Sequence, residues 1–256
     1  FNRATANLGI SQRFNRVSLV GEGRYVNLNY VDTPAAGAGE INNDDRDRDV
    51  YVLALRAGYE IVPRFEAFVR GSYNVRDYEA RLDDFGIDRD SDGYELAVGT
   101  QVDLTGITFG EAYVGYRQQA YDDRRLDKID GITFGARLTS NITPLTTVQL
   151  FVDRDIEETS IVAAEGFWST SVRATVDHEL LRNLILSGAL GYGWNDYQGA
   201  DRDDDTIRAT IGANYLMNRY LTVGVAYDFE WRESRGRAAG VDYTVNRILL
   251  KVTGHL

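Results

Sequence analysis

Apolar and polar residues alternate along this chain almost from end to end, and a period of two is the signature of strands with two unlike faces. Tyr51, Leu53, Leu55, Ala57, Tyr59 and Ile61 form one run, with Val52, Ala54, Arg56, Gly58 and Glu60 between them. The pattern returns as Phe65, Ala67, Val69, Gly71, Tyr73 and Val75, as Tyr94 to Leu104, as Ile132 to Leu138, and as Trp168, Thr170, Val172, Ala174 and Val176. It continues through Leu184 to Trp194, Ile207 to Tyr215, Leu221 to Trp231 and Ile248 to Val252. Thirteen strands are predicted, at 2–14, 17–30, 49–62, 65–78, 93–104, 107–121, 131–142, 145–156, 167–180, 184–195, 205–216, 220–232 and 241–256. The second has rival faces, Leu19-Gly21-Gly23-Tyr25 and Val20-Glu22-Arg24-Val26, and a bulge is expected to reconcile them.

The connections alternate in length. Tight turns fall at Asn15-Arg16, Pro63-Arg64, Thr105-Gly106, Thr143-Pro144, Arg182-Asn183 and Asn218-Arg219, and long connections at 31–48, 79–92, 122–130, 157–166, 196–204 and 233–240. Short turns at one end and long loops at the other are the layout of an outer-membrane barrel, whose strands need only about 10 residues each to cross at a tilt. Charge follows the same polarity. The long connections with their strand ends sum to -18 in a chain of net -11, so the remainder carries +7. A soluble sandwich has no reason to sort charge in this way.

Composition narrows the field further. Tyr 16, Phe 10 and Trp 3, with Gly 25 and Pro 3, suit sheets bounded by aromatic girdles. No stretch approaches the roughly 20 apolar residues of a membrane-crossing helix. Zero Cys excludes disulfides and thiolate chemistry, and the acidic balance argues against nucleic acid. The fold class is therefore all-β: a transmembrane up-and-down antiparallel β-barrel, read as one domain over residues 1–256 and placed in the outer membrane of a Gram-negative bacterium.

A resemblance sharpens this. Gly110-Glu-Ala-Tyr-Val-Gly-Tyr-Arg-Gln-Gln-Ala-Tyr-Asp-Asp123 resembles a recurring strand of the putative beta-barrel porin 2 family. Pro144-Leu-Thr-Thr-Val-Gln-Leu150 with Arg154-Asp-Ile-Glu-Glu-Thr159 is similar to the hairpin that follows it, and Tyr243-Thr-Val-Asn-Arg-Ile-Leu-Leu250 to its closing strand. The similarity covers residues 110–256 well and the first hundred only in style. It implies an outer-membrane barrel whose substrate is generally undefined, with some members associated with polysaccharide export. The chain ends in Leu256 where barrel assembly signals usually have an aromatic residue, and it is shorter than a complete member is expected to be. Parity bears on the same point. Bacterial single-chain barrels normally have even strand numbers, so 14 strands are expected, one of them preceding Phe1. The alternative is 12, with 2–14 outside the barrel.

The polar face holds the main candidate chemistry. Arg56, Arg70, Glu95, Glu111, Arg117, Arg137, Arg173, Arg208, Asp228 and Arg247 lie mid-strand on it and are expected to line a channel, where charge tunes ion selectivity. The opposing expectation is that Arg and Glu pair and fill the lumen. Ser187, Ala189, Gly191, Gly193, Thr210, Gly212 and Asn214 form a sparse sector that leaves room. Asp88-Arg-Asp-Ser-Asp-Gly93 matches the first half of a calcium loop, which makes Asp88, Asp90 and Asp92 candidate calcium ligands, but Gly99 stands where a twelfth-position Glu belongs. No other cofactor is indicated. His178, between Asp177 and Glu179, falls on the lipid-side face near the periplasmic rim, and His255 has no evident partner; neither has the positioned nucleophile that catalysis needs, so an enzyme is not expected. The expected function is a porin-like passive channel or export conduit for small or carbohydrate solutes, in contact with outer-membrane lipid and lipopolysaccharide. The alternative is a closed structural barrel whose acidic loops anchor a surface layer, glycan or partner protein.

Overall fold

The computed structural model describes residues 1–34, 40–41, 43–159, 161 and 164–254. Thirteen long strands make one sheet: β1 (Asn2–Phe14), β2 (Val17–Asn29), β3 (Arg48–Val62), β4 (Phe65–Tyr78), β5 (Ser91–Asp103), β6 (Thr108–Tyr121), β7 (Ile129–Thr143), β8 (Thr146–Glu158), β9 (Gly166–Leu181), β10 (Leu184–Gln198), β11 (Asp203–Asn218), β12 (Leu221–Arg235) and β13 (Tyr243–Gly254). Their order in the sheet is their order in the chain, an antiparallel up-and-down meander. The first long connection holds a short hairpin, Thr33–Pro34 with Glu40–Ile41, and a single 3-10 turn at Asp44–Arg46; among the described residues there is no α-helix.

Every observed boundary lies within three residues of the alternation-based prediction. β1 is a full strand, paired with β2 without interruption from Asn2↔Asn29 to Phe14↔Val17, which overturns the alternative that left 2–14 out. That unbroken register also removes the bulge expected in β2. Directly opposed residues share a face, so Leu19, Gly21, Gly23 and Tyr25 side with Leu8 and Ile10, and Val20, Glu22, Arg24 and Val26 side with the polar residues. Gly21 agrees with this register: a Cβ there would meet Ile10 and Leu55 at 3.4 Å, which places the position on their face. The bulges instead sit next to tight turns, between Glu60 and Val62, Thr146 and Thr147, and Leu216 and Asn218. Asn15 (φ 54°) and Arg64 (φ 74°) adopt the left-handed backbone that two-residue hairpin turns require.

Burial is inverted relative to a water-soluble sheet. Leu55, Leu96, Ile211 and Leu250 are 62%, 64%, 65% and 80% exposed, whereas Glu95, Gln119 and Thr133 are 2%, 1% and 1% exposed. Such a surface stabilises the fold only where lipid covers it. Tyrosines mark one edge of the apolar surface, and their hydroxyls donate to strand carboxylates at the long-loop end: Tyr25 to Asp49 at 2.9 Å, Tyr73 to Asp92 at 3.2 Å, and Tyr116 to Asp130 and Tyr192 to Asp205. An apolar ring with a satisfied polar tip suits an interface between lipid and water.

Backbone proximity divides the chain into two compact units: unit 1, residues 1–100, 113–133 and 156–167; and unit 2, residues 101–112, 134–155 and 168–256.

Candidate functional site

Unit 1 packs its polar face with charge. Arg56 on β3 stands directly opposite Arg70 on β4, and Glu60 opposite Glu66, an arrangement of like charges that is unfavourable by itself. The structure resolves it by turning each group to another partner. Arg56 reaches along the strands to Glu66 at 3.1 Å, Glu60 pairs with Arg13, and Arg70 turns to Glu95 on β5. Glu66 also accepts from the Ser18 hydroxyl at 3.0 Å. Gly58 makes room for this group, because a Cβ there would stand 2.2 Å from Glu66 Oε1. Glu95 is the centre of a trio: Arg70 donates from Nε and Nη2 to Oε1 at 3.1 and 2.5 Å, and Arg117 on β6 donates to Oε2 at 3.1 and 2.5 Å. Two guanidinium forks on one carboxylate give Glu95 charge-assisted bonds on both oxygens, without which a nearly buried carboxylate would be costly. Aromatic faces carry the backs of these forks, Phe68 under Arg56 and Tyr113 under Arg70, each at 4.0 Å.

Where the same unit reaches its long connections, a second centre forms. Arg89 is 4% exposed and pairs with Asp83 at 2.8 Å. Its other donors reach the carbonyls of Thr159 at 3.1 Å and of Ala164 and Ile161 at 3.3 Å. Asp83 in turn accepts from the Phe85 and Ile87 amides, both at 2.9 Å. One arginine thus ties the connection between β4 and β5 to the one between β8 and β9. Burial pushes the Asp83 carboxyl up, but the Ile87 and Phe85 amides and the Arg89 guanidinium outweigh it and hold it below the usual carboxylate range. Beside it, Ile87, Leu126, Ile129, Ile156 and Ala164 are buried, and Arg76 pairs with Glu158.

Unit 2 is different. Arg137, Arg173, Arg208 and Arg247 are all exposed, and Asp228 and Glu111 are half-buried. Arg208 meets Glu230, directly opposite it, at 3.2 Å, yet its side chain remains 66% exposed. Asp228 accepts from Thr210 at 2.8 Å and stands opposite Arg247, and Arg137 lies 5.2 Å from the Phe151 ring. Gly191, Gly193 and Gly212 belong to the sector expected to be sparse and add no side chain to the wall. Its long-loop end is organised by Asp204, 2% exposed, which accepts from Arg202 at 2.9 and 3.0 Å, from Arg232 at 2.6 Å and from Ser234 at 2.5 Å. One departure concerns β9. Alternation puts Trp168 and Thr170 on the apolar surface with Val172 and Val176, but they are 4% and 0% exposed. Arg154 covers them, its guanidinium 4.5 Å from the indole and 2.8 Å from the Thr170 hydroxyl.

In the acidic loop motif each carboxylate meets a different group. Asp88 accepts from the Asp90 amide at 3.2 Å, Asp90 from the Tyr78 amide at 2.7 Å, and Asp92 from the Tyr73 hydroxyl on the apolar side. Alternation within β5 aims Asp92 away, and among the described residues no three His, Cys, Asp or Glu side chains are grouped to hold a metal ion. His178 is half-buried near the tight-turn end, its Nδ1 2.9 Å from the Thr146 hydroxyl. His255 lies outside the described residues.

The model of the putative beta-barrel porin 2 family matches residues 1–256, the whole chain. The chain belongs to that family. As a member of this porin-type family it is an outer-membrane β-barrel protein of a Gram-negative bacterium. No curated protein matches it in sequence. Among solved structures it is similar to the copper transporter OprC, with a TM-score of 0.54 at 10% identity, over 90% of this chain and 46% of that one. It is similar to the FrpB iron transporter from Neisseria meningitidis, with a TM-score of 0.55 at 6% identity, over 92% of this chain and 44% of that one. It is also similar to the siderophore receptor PiuA from Acinetobacter baumannii, with a TM-score of 0.51 at 8% identity, over 95% of this chain and 49% of that one. The family member spans just under half the length of these structures, and at such identities the likeness is one of fold.

Sequence reasoning missed two centres of this porin family member, Arg89 and Asp204. The one available signal was an arginine flanked by aspartates in otherwise acidic connections, Asp88-Arg89-Asp90 and Asp201-Arg202-Asp203.

Proposed function

We propose that this protein is a passive, porin-like channel for small solutes, carbohydrates among them, with Arg56, Arg70, Glu95, Glu111, Arg117, Arg137, Arg173, Arg208, Asp228 and Arg247 on its water-facing wall. The observation that carries the reading is the thinly filled polar face of β9–β12, where the exposed Arg173 and Arg208 stand among half-buried glycines and small polar residues. A wall built only to be filled would present large, buried side chains there, as unit 1 does around Glu95. The apolar face contacts lipid and lipopolysaccharide acyl chains, and the residues perform no bond chemistry. Export of a polysaccharide is the larger-scale version of the same passive role.

Liposome swelling with neutral sugars of graded size tests it. Swelling that slows as the sugar grows is the expected result; liposomes with well-folded protein that swell no faster than empty ones would refute the channel. The refuting outcome would favour a second reading, a closed barrel presenting acidic loops to a glycan or partner protein. The Arg89 centre, which knits two long connections together, speaks for that alternative.

A further inference from the structure

An open cleft of about 600 Å³ lies on the polar face of β1–β6, wholly within unit 1. Four guanidiniums face it: Arg3 on β1, Arg24 on β2, Arg70 on β4 and Arg117 on β6. Gly9 and Ala54 keep its floor low, and Asn7 and Ser72 add neutral polar groups. Two carboxylates, Glu22 and Glu95, also line it, so four positive charges meet two negative ones in a chain whose net charge is -11. Glu95 is already matched, both oxygens being held by Arg70 and Arg117. Arg3 and Arg24 are exposed, and neither has an ion-pair partner among the described residues.

The two pairs of arginines have complementary properties. Arg70 and Arg117 are fixed in advance by Glu95, and Arg70 also by the Tyr113 ring, so little further ordering is needed for them to meet a ligand. Arg3 and Arg24 supply charge not yet committed. Guanidinium forks match carboxylate and phosphate oxygens two at a time. The volume falls in the range of about 300–1,000 Å³ typical of sites for small molecules. We propose that this cleft binds an acidic or phosphorylated monosaccharide, its anionic group drawn in by the uncommitted charge of Arg3 and Arg24 and its hydroxyls met by the neutral lining. The inference deepens the channel reading and rests on it for the solute's route through the membrane.

Calorimetry on the full chain in detergent micelles, with glucose 6-phosphate as probe and glucose as neutral control, tests the site. Glucose 6-phosphate is expected to bind at least about tenfold more tightly than glucose, and the Arg3→Gln/Arg24→Gln double variant to lose about tenfold of that affinity, as removal of a charge-assisted contact does. Because both side chains are exposed, the variant should keep the parent's urea midpoint, which checks that it folds. Equal affinity for the two sugars, or an unchanged affinity in the double variant, would overturn the site. The same solutes added to a conducting bilayer separate this inference from the channel reading. Current without preferential block by glucose 6-phosphate retains the channel and overturns the site; calorimetric binding without current retains the site and overturns the channel.

Discussion

Arg70 and Arg208 occupy the same kind of place, mid-strand on a polar face, and meet opposite surroundings. Arg70 backs onto Tyr113 and is clamped to a carboxylate that is 2% exposed; Arg208 touches one glutamate and is left 66% exposed. The contrast extends to their neighbourhoods. Around Arg70 the strands contribute Arg56, Glu66, Glu95 and Arg117, whereas around Arg208 they contribute Gly191, Thr210 and Gly212 beside the carboxylates of Asp228 and Glu230. Strand geometry aims side chains at the polar face in both units, and residue size and charge pairing decide whether that face is filled or left open. A filled face gives rigidity at the cost of desolvating charge; an open face keeps its charges hydrated and available to a solute.

Substitutions can break this comparison, and the largest effect is expected at Arg89. Arg89→Met leaves Asp83 as a buried lone charge and three carbonyls without their donor, a loss of about 4 kcal/mol in the protection of the connections it joins. Hydrogen exchange should show faster amides across 79–90 with β10–β12 unchanged; equal acceleration in both places would mean that Arg89 supports the whole sheet. Glu95→Gln comes next. It removes the shared carboxylate from two guanidiniums and should cost about 3 kcal/mol in urea unfolding from micelles, toward the low end for buried pairs because both arginines keep some solvent. It should also shift selectivity toward anions, a change that purely structural loss would not produce.

A smaller effect is expected from pH. Asp83 titrates below its unfolded value, so its contribution is complete above the unfolded pKa of about 4 and is lost as pH falls through the lower folded value. Protection of 79–90 should therefore hold from pH 7 to about 4 and decline only below, and Asp83→Asn should flatten that decline. The smallest change in stability belongs to unit 2. Arg208→Gln should alter the unfolding free energy by no more than about 0.5 kcal/mol while moving ion selectivity toward cations. A large stability loss there would mean that the two faces are built alike.

Much of this architecture was legible in the sequence because it obeys a period. Alternation places Tyr51 to Ile61 on one face and Arg56 on the other whatever surrounds them, and turn residues such as Asn15 and Gly106 announce the hairpins. The polar ladder was legible as a set of residues, but its pairing was not: nothing in one dimension says that Arg70 prefers Glu95 to its direct neighbour Arg56. The failures share a cause. Trp168, Arg89 and Asp204 sit where strands give way to connections, and there tertiary contacts from distant segments decide burial. The rival faces of β2 were undecided for a related reason, since glycines at 21 and 23 weaken the apolar signal on the face that carries Leu19 and Tyr25.

Single-channel recording of the purified protein in planar bilayers under a salt gradient tests the central claim most directly. The account predicts steady, ohmic steps, with a reversal potential that moves toward cation selectivity in Arg208→Gln. Bilayers that stay silent with protein whose strands are demonstrably folded, or steps indifferent to the charges of the polar face, would contradict it.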